Sequence, residues 1–294
     1  MCLIAFAINA SARWPLVIAS NRDEFFDRPT LPLARWQTAS GQDIISGRDL
    51  RAGGSWLGIT PGGRVAFLTN VREGQPQLMP NSRGELVTRW LDQDCDADAF
   101  AAVLKKEGAS YGGFNLVLGD FQRQAWTWLT NRSANQPSGW QVQALQAGVY
   151  GLSNAGLDTP WPKTTELKRV LAASLEAPEP DALRAALWTA LANRQRAPVE
   201  CLPATGVPLA LEEALSSAFV DFPEYAYGTR CSTLLLASAQ EGHAEAGEWD
   251  VRVEEHTHTH GDLHASTTGL AHSATTVSFR LQTPGKARMA SSLR

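Results

Sequence analysis

The stretch CLIAFAINASARWPLVIASNRDEFFDRP, Cys2 to Pro29, sets two short apolar runs on either side of a polar interruption. CLIAFAI and PLVIAS are each of strand length, and NASARW between them supplies turn residues, so the stretch reads as a β-hairpin. If the turn centres on Ser11 and Ala12, paired positions sum to about 23. Cys2 is then expected opposite Asn21, with Arg22 and Asp23 within a residue or two. Only 19% of the chain is charged, yet Arg22, Asp23 and Glu24 follow directly on Asn21. Glu24, one position beyond Asp23, is expected on the other face, bracing Arg28 or Arg48.

A second hairpin follows in SWLGITPGGRVAFLTN, with Pro61-Gly62-Gly63 as the turn. Its centre near Gly62 sets Asn70 opposite Gly53-Gly54, where missing side chains permit a close backbone approach. From Ser82 the period changes. SRGELVTRWL and DADAFAAVLKK carry apolar residues at helical spacing behind Ser and Asp caps. GFNLVLGD, QAWTWLT and GVYGLSN read as strands. WPKTTELKRVLAASL, EPDALRAALWTALANR and LALEEALSSAF read as helices. RCSTLLLAS, WDVRVEEH and ATTVSFRLQ are closing strands. The strands are joined mostly as hairpins rather than through crossover helices. That predicts an α+β fold of antiparallel sheets with helices outside them. No repeat or linker divides the chain, so a single domain is expected over 1–283, with a disordered tail over 284–294.

The totals exclude several classes. The net charge of −4 and scattered basic residues leave no electrostatic footprint for nucleic acid. No apolar run approaches the roughly 18 residues of a membrane span. MCLIAFAINA is short and lacks a basic leader, so it does not read as a signal peptide. Four cysteines, none in C-x-x-C spacing, form no disulfide framework, which points to free thiols in a reducing, cytoplasmic setting.

Cys2 carries the chemistry. Cys is small enough for Met1 to be excised, leaving a thiol and an α-amine on one residue. The amine, with a pKa of roughly 7.7–8.0, can take the proton of a thiol near about 8.5 without a histidine. Asp23 is placed to orient the amine. Arg22 and Arg230 are candidates to favour the thiolate. The amides of Asn70 and Asn154 can donate to a developing oxyanion. Asn21, Arg22, Gly54 and Trp56 are the expected binding residues beside them.

ASNRDEFFDRP behind an MCLIAFAI opening resembles the NRDE family, also called the transport-and-Golgi-organisation family. The resemblance extends through GRDLRAGGSWLGITPGGRVAFLTNVRE, NSRGELV, GFNLVLGD, YGLSNAGLDTPWPK and GTRCSTLLL, nearly the whole chain. It implies a relative of the N-terminal-nucleophile hydrolases with a four-layer αββα sandwich of two antiparallel sheets. A more distant similarity to bile-salt hydrolases and penicillin V acylases implies Cys2 as nucleophile and Asp23 as amine partner. It also implies Asn70 and Asn154 on the oxyanion side and Arg230 as the late arginine. Those enzymes carry an Arg three residues before the Asp, where this chain has Ser20, with Arg22 as the substitute. The family also implies an alternative, a carrier of haem or a lipid-like ligand in homeostasis or membrane traffic. The expected partner is therefore a small amide or a hydrophobic ligand, with no cofactor required and haem entering only as ligand.

The remaining motifs read as structure. His256, His258 and His260 alternate in EEHTHTHGDLH and share one strand face, but no Cys or ordered acidic set joins them, so no metal site is expected. Cys95 is expected to be at the surface or structural, Cys201 in a loop and Cys231 as packing on a buried strand.

Overall fold

The computed structural model describes residues 2–74, 79–177, 179–239, 247–259 and 271–283. Met1, His260 and the expected tail over 284–294 lie outside the described residues. The strands are β1 (Cys2–Ile8), β2 (Leu16–Phe25), β3 (Thr30–Gln37), β4 (Asp43–Asp49), β5 (Leu57–Ile59) and β6 (Arg64–Asn70). Helices α1 (Gly84–Asp92) and α2 (Ala97–Glu107) follow, then β7 (Phe114–Asp120), β8 (Ala125–Thr130), β9 (Gln141–Ala144) and β10 (Gly148–Leu152). Next come α3 (Pro162–Ser174), α4 (Pro180–Leu191) and α5 (Leu209–Ala214). The described chain closes with β11 (Asp221–Phe222), β12 (Tyr227–Ala239), β13 (Glu248–Thr259) and β14 (Ala271–Gln282).

One sheet runs β10-β1-β2-β12-β13-β14, with β11 paired to β12; the other runs β3 to β9 in sequence order. Among the described residues every pairing between these strands is antiparallel. The first sheet is buried on both faces, which is why CLIAFAI is a continuous apolar run rather than an alternating one. Ile4, Phe6 and Ile8 enter the core between the sheets with Phe67, Val117 and Trp128. Leu3, Ala5 and Ala7 face Leu167 and Leu171 of α3 and Leu183 and Leu187 of α4. On the far side, Leu86 and Trp90 of α1 and Phe100 of α2 cover Ala66 and Leu116 of the second sheet. The result is the αββα sandwich that the resemblance implied.

Phe6 fastens the two sheets. Its ring meets Phe67 edge-on at 4.9 Å and stacks on Tyr150 at 5.3 Å. Such aromatic pairs contribute about 0.5–1.5 kcal/mol beyond the area they bury. The helix starts follow local rules. Asp96 caps α2 by accepting from the Ala99 amide at 2.7 Å, and Pro162 and Pro180 open α3 and α4, where the missing N–H costs nothing.

The first hairpin is present, but its register is one position later than the turn at Ser11-Ala12 predicts. Cys2 pairs with Arg22, and Leu3 with Asn21. The connection is a loop from Asn9 to Pro15, closed by the Asn9 amide on the Pro15 carbonyl at 2.9 Å. A longer loop leaves the mirror position free to move. The second hairpin has the predicted centre: Leu57 pairs with Phe67, and the Leu68 amide donates to the Trp56 carbonyl. The close approach at Gly54 is made to Gly84. A Cβ on Gly54 would lie 2.3 Å from the Gly84 carbonyl carbon, so the start of α1 rests on this glycine.

Candidate active site

Cys2 begins β1 and lies in the wall of a cleft of about 420 Å³. Arg22, Trp56, Asn70, Arg83 and Asp49 share that wall. Strand alternation assigns the faces. Ile4 and Phe6 point between the sheets, so Cys2 does too, and directly across from it so does Arg22. The Arg22 guanidinium stacks over the Trp56 ring at 4.3 Å and lies 3.5 Å from Glu24 and 3.6 Å from Asp49. Trp56 reaches this position because residue 47 is glycine; a Cβ there would lie 2.4 Å from the indole. Asp49 is held in turn by Arg28 at 2.6 Å and accepts the amides of Arg51 and Ala52; burial raises its carboxyl, but the hydrogen bonds from Arg28 and the Ala52 amide together with the guanidinium charges outweigh this and hold it below the usual range.

Burial pushes the Cys2 thiol up; the chain's amino terminus and Arg22 oppose this, and Asp23 and Glu24 add to it. Asp23 is part of the cleft wall, but its carboxylate belongs to the other face of β2, toward the helices. Thr229 donates to its Oδ1 at 2.7 Å, and the Tyr227 hydroxyl donates to its backbone carbonyl at 3.0 Å. Burial raises its carboxyl, while Lys163 of α3 pulls the other way. Lys163 is itself buried; desolvation lowers its ammonium to about 8, and it donates to the Leu215 carbonyl at 2.7 Å. Beside this pair lies a second buried one, Arg72 with Glu212, with Arg72 over the Trp161 ring at 4.8 Å.

The sequence reading missed Lys163, Arg72 and Glu212. One signal for Lys163 exists: a lysine in the first turn of a helix opposes the helix dipole, which favours carboxylates there. Its ammonium is needed elsewhere, next to Asp23.

A family model described as Transport and Golgi organisation 2 matches residues 1–252. The chain belongs to this family. A Bos taurus Transport and Golgi organization protein 2 homolog is 34% identical over 261 residues, covering 83% of this chain and 90% of that protein. The Homo sapiens homolog is 31% identical over 281 residues, covering 87% and 99%. The Drosophila melanogaster Transport and Golgi organization protein 2 is 28% identical, covering 82% and 89%. Two solved structures are similar. One is the Caenorhabditis elegans N-acylethanolamine-hydrolyzing acid amidase (NAAA) ortholog, with TM-score 0.41 and 12% identity, covering 63% of this chain and 85% of that one. The other is the mutant C2A conjugated bile acid hydrolase from Clostridium perfringens, with TM-score 0.41 and 8% identity, covering 96% and 98%.

In this member of the Transport and Golgi organisation 2 family the expected site residues divide into two groups. Cys2, Arg22, Trp56 and Asn70 come together in the cleft, and Asp23 joins its wall. The others make contacts elsewhere. Asn21 points away from Cys2, and its amide donates to the Leu191 and Ala218 carbonyls at 2.8 Å each. Asn154 is buried, and its amide donates to the Asn70 carbonyl at 2.8 Å, fixing the end of β6. Ser153 beside it donates to the Cys2 carbonyl at 3.2 Å. Arg230 occupies the bulge between Thr229 and Cys231, and its guanidinium donates to the carbonyls of Phe25, Phe26 and Arg28. Gly54 supports α1. Glu24 does leave the face of Asp23 and reaches Arg28 at 3.9 Å, but that places it on the same face as Cys2 and Arg22.

The remaining His and Cys residues lie outside this cleft. His256 stacks on Trp188 at 3.9 Å, and His258 bonds the Ser232 hydroxyl at 2.9 Å. Among the described residues no three His, Cys, Asp or Glu side chains converge as metal ligands. Cys231 is buried and paired with Arg22 from the other side, with burial raising its thiol well above the usual range. Cys201 is exposed, and Cys95 is half-buried. No helix among the described residues is long and apolar enough to cross a membrane.

Proposed function

We propose that the cleft at Cys2 is an amidohydrolase-type site acting on linear, non-peptide amides. The observation that carries this reading is the placement of Cys2. Cys2 heads a strand in the cleft wall, with Arg22 as its cross-strand partner. Burial keeps the thiol protonated near neutral pH, so attack needs a base. The α-amine of Cys2, once Met1 is removed, is that base, oriented by Asp23. The thiolate adds to the amide carbon, and the oxyanion receives hydrogen bonds from Asn70 and Arg22. The leaving amine takes the proton from the α-ammonium. Water then cleaves the acyl-thioester, returning acid and free thiol.

The test is mass spectrometry of the purified protein before and after incubation with an N-octanoyl p-nitroanilide. The reading expects a chain starting at Cys2, release of nitroaniline and an octanoyl adduct on Cys2. A retained Met1, or nitroaniline release that survives Cys2→Ala, overturns it.

A second reading has its own support. Asn154 and Arg230 are engaged by backbone carbonyls, which suits a cleft that holds a ligand without turnover. Such a carrier of haem or a lipid-like molecule fits relatives named for transport and Golgi organisation. It expects a haem absorbance shift on titration that persists in Cys2→Ala; an unshifted spectrum removes the haem version.

A further inference from the structure

The wall of the Cys2 cleft carries four arginines, Arg22, Arg28, Arg51 and Arg83, and four carboxylates, Asp23, Glu24, Asp49 and Glu73. Three of the arginines have carboxylate partners. Arg22 lies 3.5 Å from Glu24 and 3.6 Å from Asp49; Arg28 reaches Asp49 at 2.6 Å; Arg51 reaches Asp27 at 3.6 Å. The other two wall carboxylates are held by groups from elsewhere. Glu73 pairs with Arg132 at 2.6 Å, and Asp23 accepts from Thr229, with Lys163 as the first cation in its field. Arg83 stands apart: among the described residues no carboxylate pairs with it.

Arg83 directly precedes α1 and is half-buried. Its Nη1 donates to the Gly113 carbonyl at 3.2 Å. Gly112 makes room for it, since a Cβ there would lie 3.3 Å from Nη1 and 3.7 Å from Cζ. A guanidinium carries its N–H donors in a fixed fork, and a single carbonyl leaves most of them unused. The other nitrogens of Arg83 have no acceptor among the described residues, yet none of them is sealed from the cleft. An accessible fork of this kind meets a carboxylate through two parallel hydrogen bonds. Burial lowers the guanidinium, and Glu24 and then Cys2 are the first charges that resist this, so the thiol lies within its field. Trp56, Leu68 and Met79 of the same wall offer an apolar surface to the rest of a ligand.

We propose that Arg83 binds a carboxylate of the substrate, so that the cleft selects amides of acid-bearing molecules, such as acylated amino acids. The proposal rests on the amidohydrolase reading of the cleft and names its substrate class. Arg83 acts here as a specificity residue; the bonds made and broken at Cys2 are those already described.

The test compares three amides on the intact protein. N-octanoyl p-nitroanilide is neutral, 5-octanamido-2-nitrobenzoate carries a carboxylate on the amine side, and suberic acid mono-p-nitroanilide carries one at the acyl end. One of the two acids is expected to exceed the neutral amide in kcat/KM by about tenfold or more, the scale of a charge-assisted hydrogen bond, and the preferred acid identifies the side that Arg83 reads. Arg83→Gln removes this preference, and Arg83→Lys, which keeps the charge without the fork, retains part of it. Calorimetric binding to Cys2→Ala reads the same contact without turnover: the preferred acid binds about tenfold tighter than the neutral amide, and Cys2→Ala/Arg83→Gln loses the difference. Where Arg83→Gln does not fold, Arg83→Lys carries the comparison. An Arg83-dependent binding preference with no turnover of any amide keeps the anchor and removes the amidohydrolase reading. Turnover without preference for either acid, or a preference that survives Arg83→Gln, overturns the anchor and leaves that reading standing. No saturable binding of any of the three overturns the anchor as well.

Discussion

Cys2 and Arg22 face each other directly across β1 and β2, and both side chains enter the space between the sheets. Arg22 is one of the positive charges, with the chain's amino terminus, that oppose the upward push of burial on this thiol. A cation beside a thiol favours the thiolate, so Arg22→Met raises the thiol further and lowers the thiolate fraction. The rate of Cys2 alkylation by iodoacetamide at pH 8, followed by mass spectrometry, measures this. Arg22→Lys, which keeps the charge, is expected to retain most of the rate. Equal rates in wild type and Arg22→Met remove Arg22 from the thiol's field.

Lys163 gives a pH signature with a definite sign. Its ammonium is lowered from 10.5 to about 8 by burial, so between these values the unfolded chain binds the proton that the folded chain has lost. Stability therefore rises with pH across that window. Below pH 8 the folded protein carries the cost of a buried ammonium. The stability difference between wild type and Lys163→Met should grow in favour of wild type by about 3 kcal/mol between pH 8 and 10.5. Urea unfolding at a series of pH values measures it, and a flat difference contradicts it.

The glycine at 54 tests the coupling of the cleft to α1. A Cβ there meets backbone atoms of Gly84, which cannot swing aside as a side chain could. Gly54→Ala is expected to lower stability by about 1–3 kcal/mol, the usual cost of overpacking. Gly62→Ala, where the nearest atom is the Thr60 hydroxyl at 3.7 Å, should be mild by comparison. Thermal melting of the two variants makes the comparison.

Asn154 tests the scaffold of the cleft. Its amide holds the Asn70 carbonyl. Asn154→Leu leaves that carbonyl without its donor and is expected to cost about 1–3 kcal/mol by urea unfolding. A loss of amide turnover without loss of stability would instead assign Asn154 to the oxyanion.

The sequence shows the hairpins clearly because apolar runs and Gly or Pro turns are local signals. Antiparallel sheets with helices outside follow from them; the four-layer αββα order was implied by the family resemblance. β3 and β4 were not legible. Pro32 interrupts TLPLARWQ, much of β3 is exposed at a sheet edge, and DIISGRD mixes charge with only two adjacent isoleucines. The hairpin register slipped by one because the loop from Asn9 to Pro15 is longer than a tight turn. That single step exchanges Asn21 for Arg22 as the partner of Cys2, since alternate residues face opposite ways. Cys2 and Arg22 could be placed from local pattern. The charges behind them, Lys163, Arg72 and Glu212, come from distant segments that read as ordinary helix or loop.

Arg72 and Glu212 join the loop after β6 to α5, and both are buried, at 4% and 2% side-chain exposure. Glu212 also accepts the Thr205 amide at 2.9 Å, so its carboxylate is fixed from two sides. Burial lowers the Arg72 guanidinium, and Glu212 resists this. Removing only the cation leaves a charged carboxylate in a dry site. Arg72→Met is therefore expected to destabilise by about 3–5 kcal/mol, the range for breaking a buried pair. Glu212→Gln added to Arg72→Met removes the stranded charge while keeping an oxygen for Thr205, so the double variant should be more stable than Arg72→Met alone. Urea unfolding of the two single variants and the double closes the cycle. If the double is no more stable than Arg72→Met, the pair acts through packing against Trp161 rather than through charge.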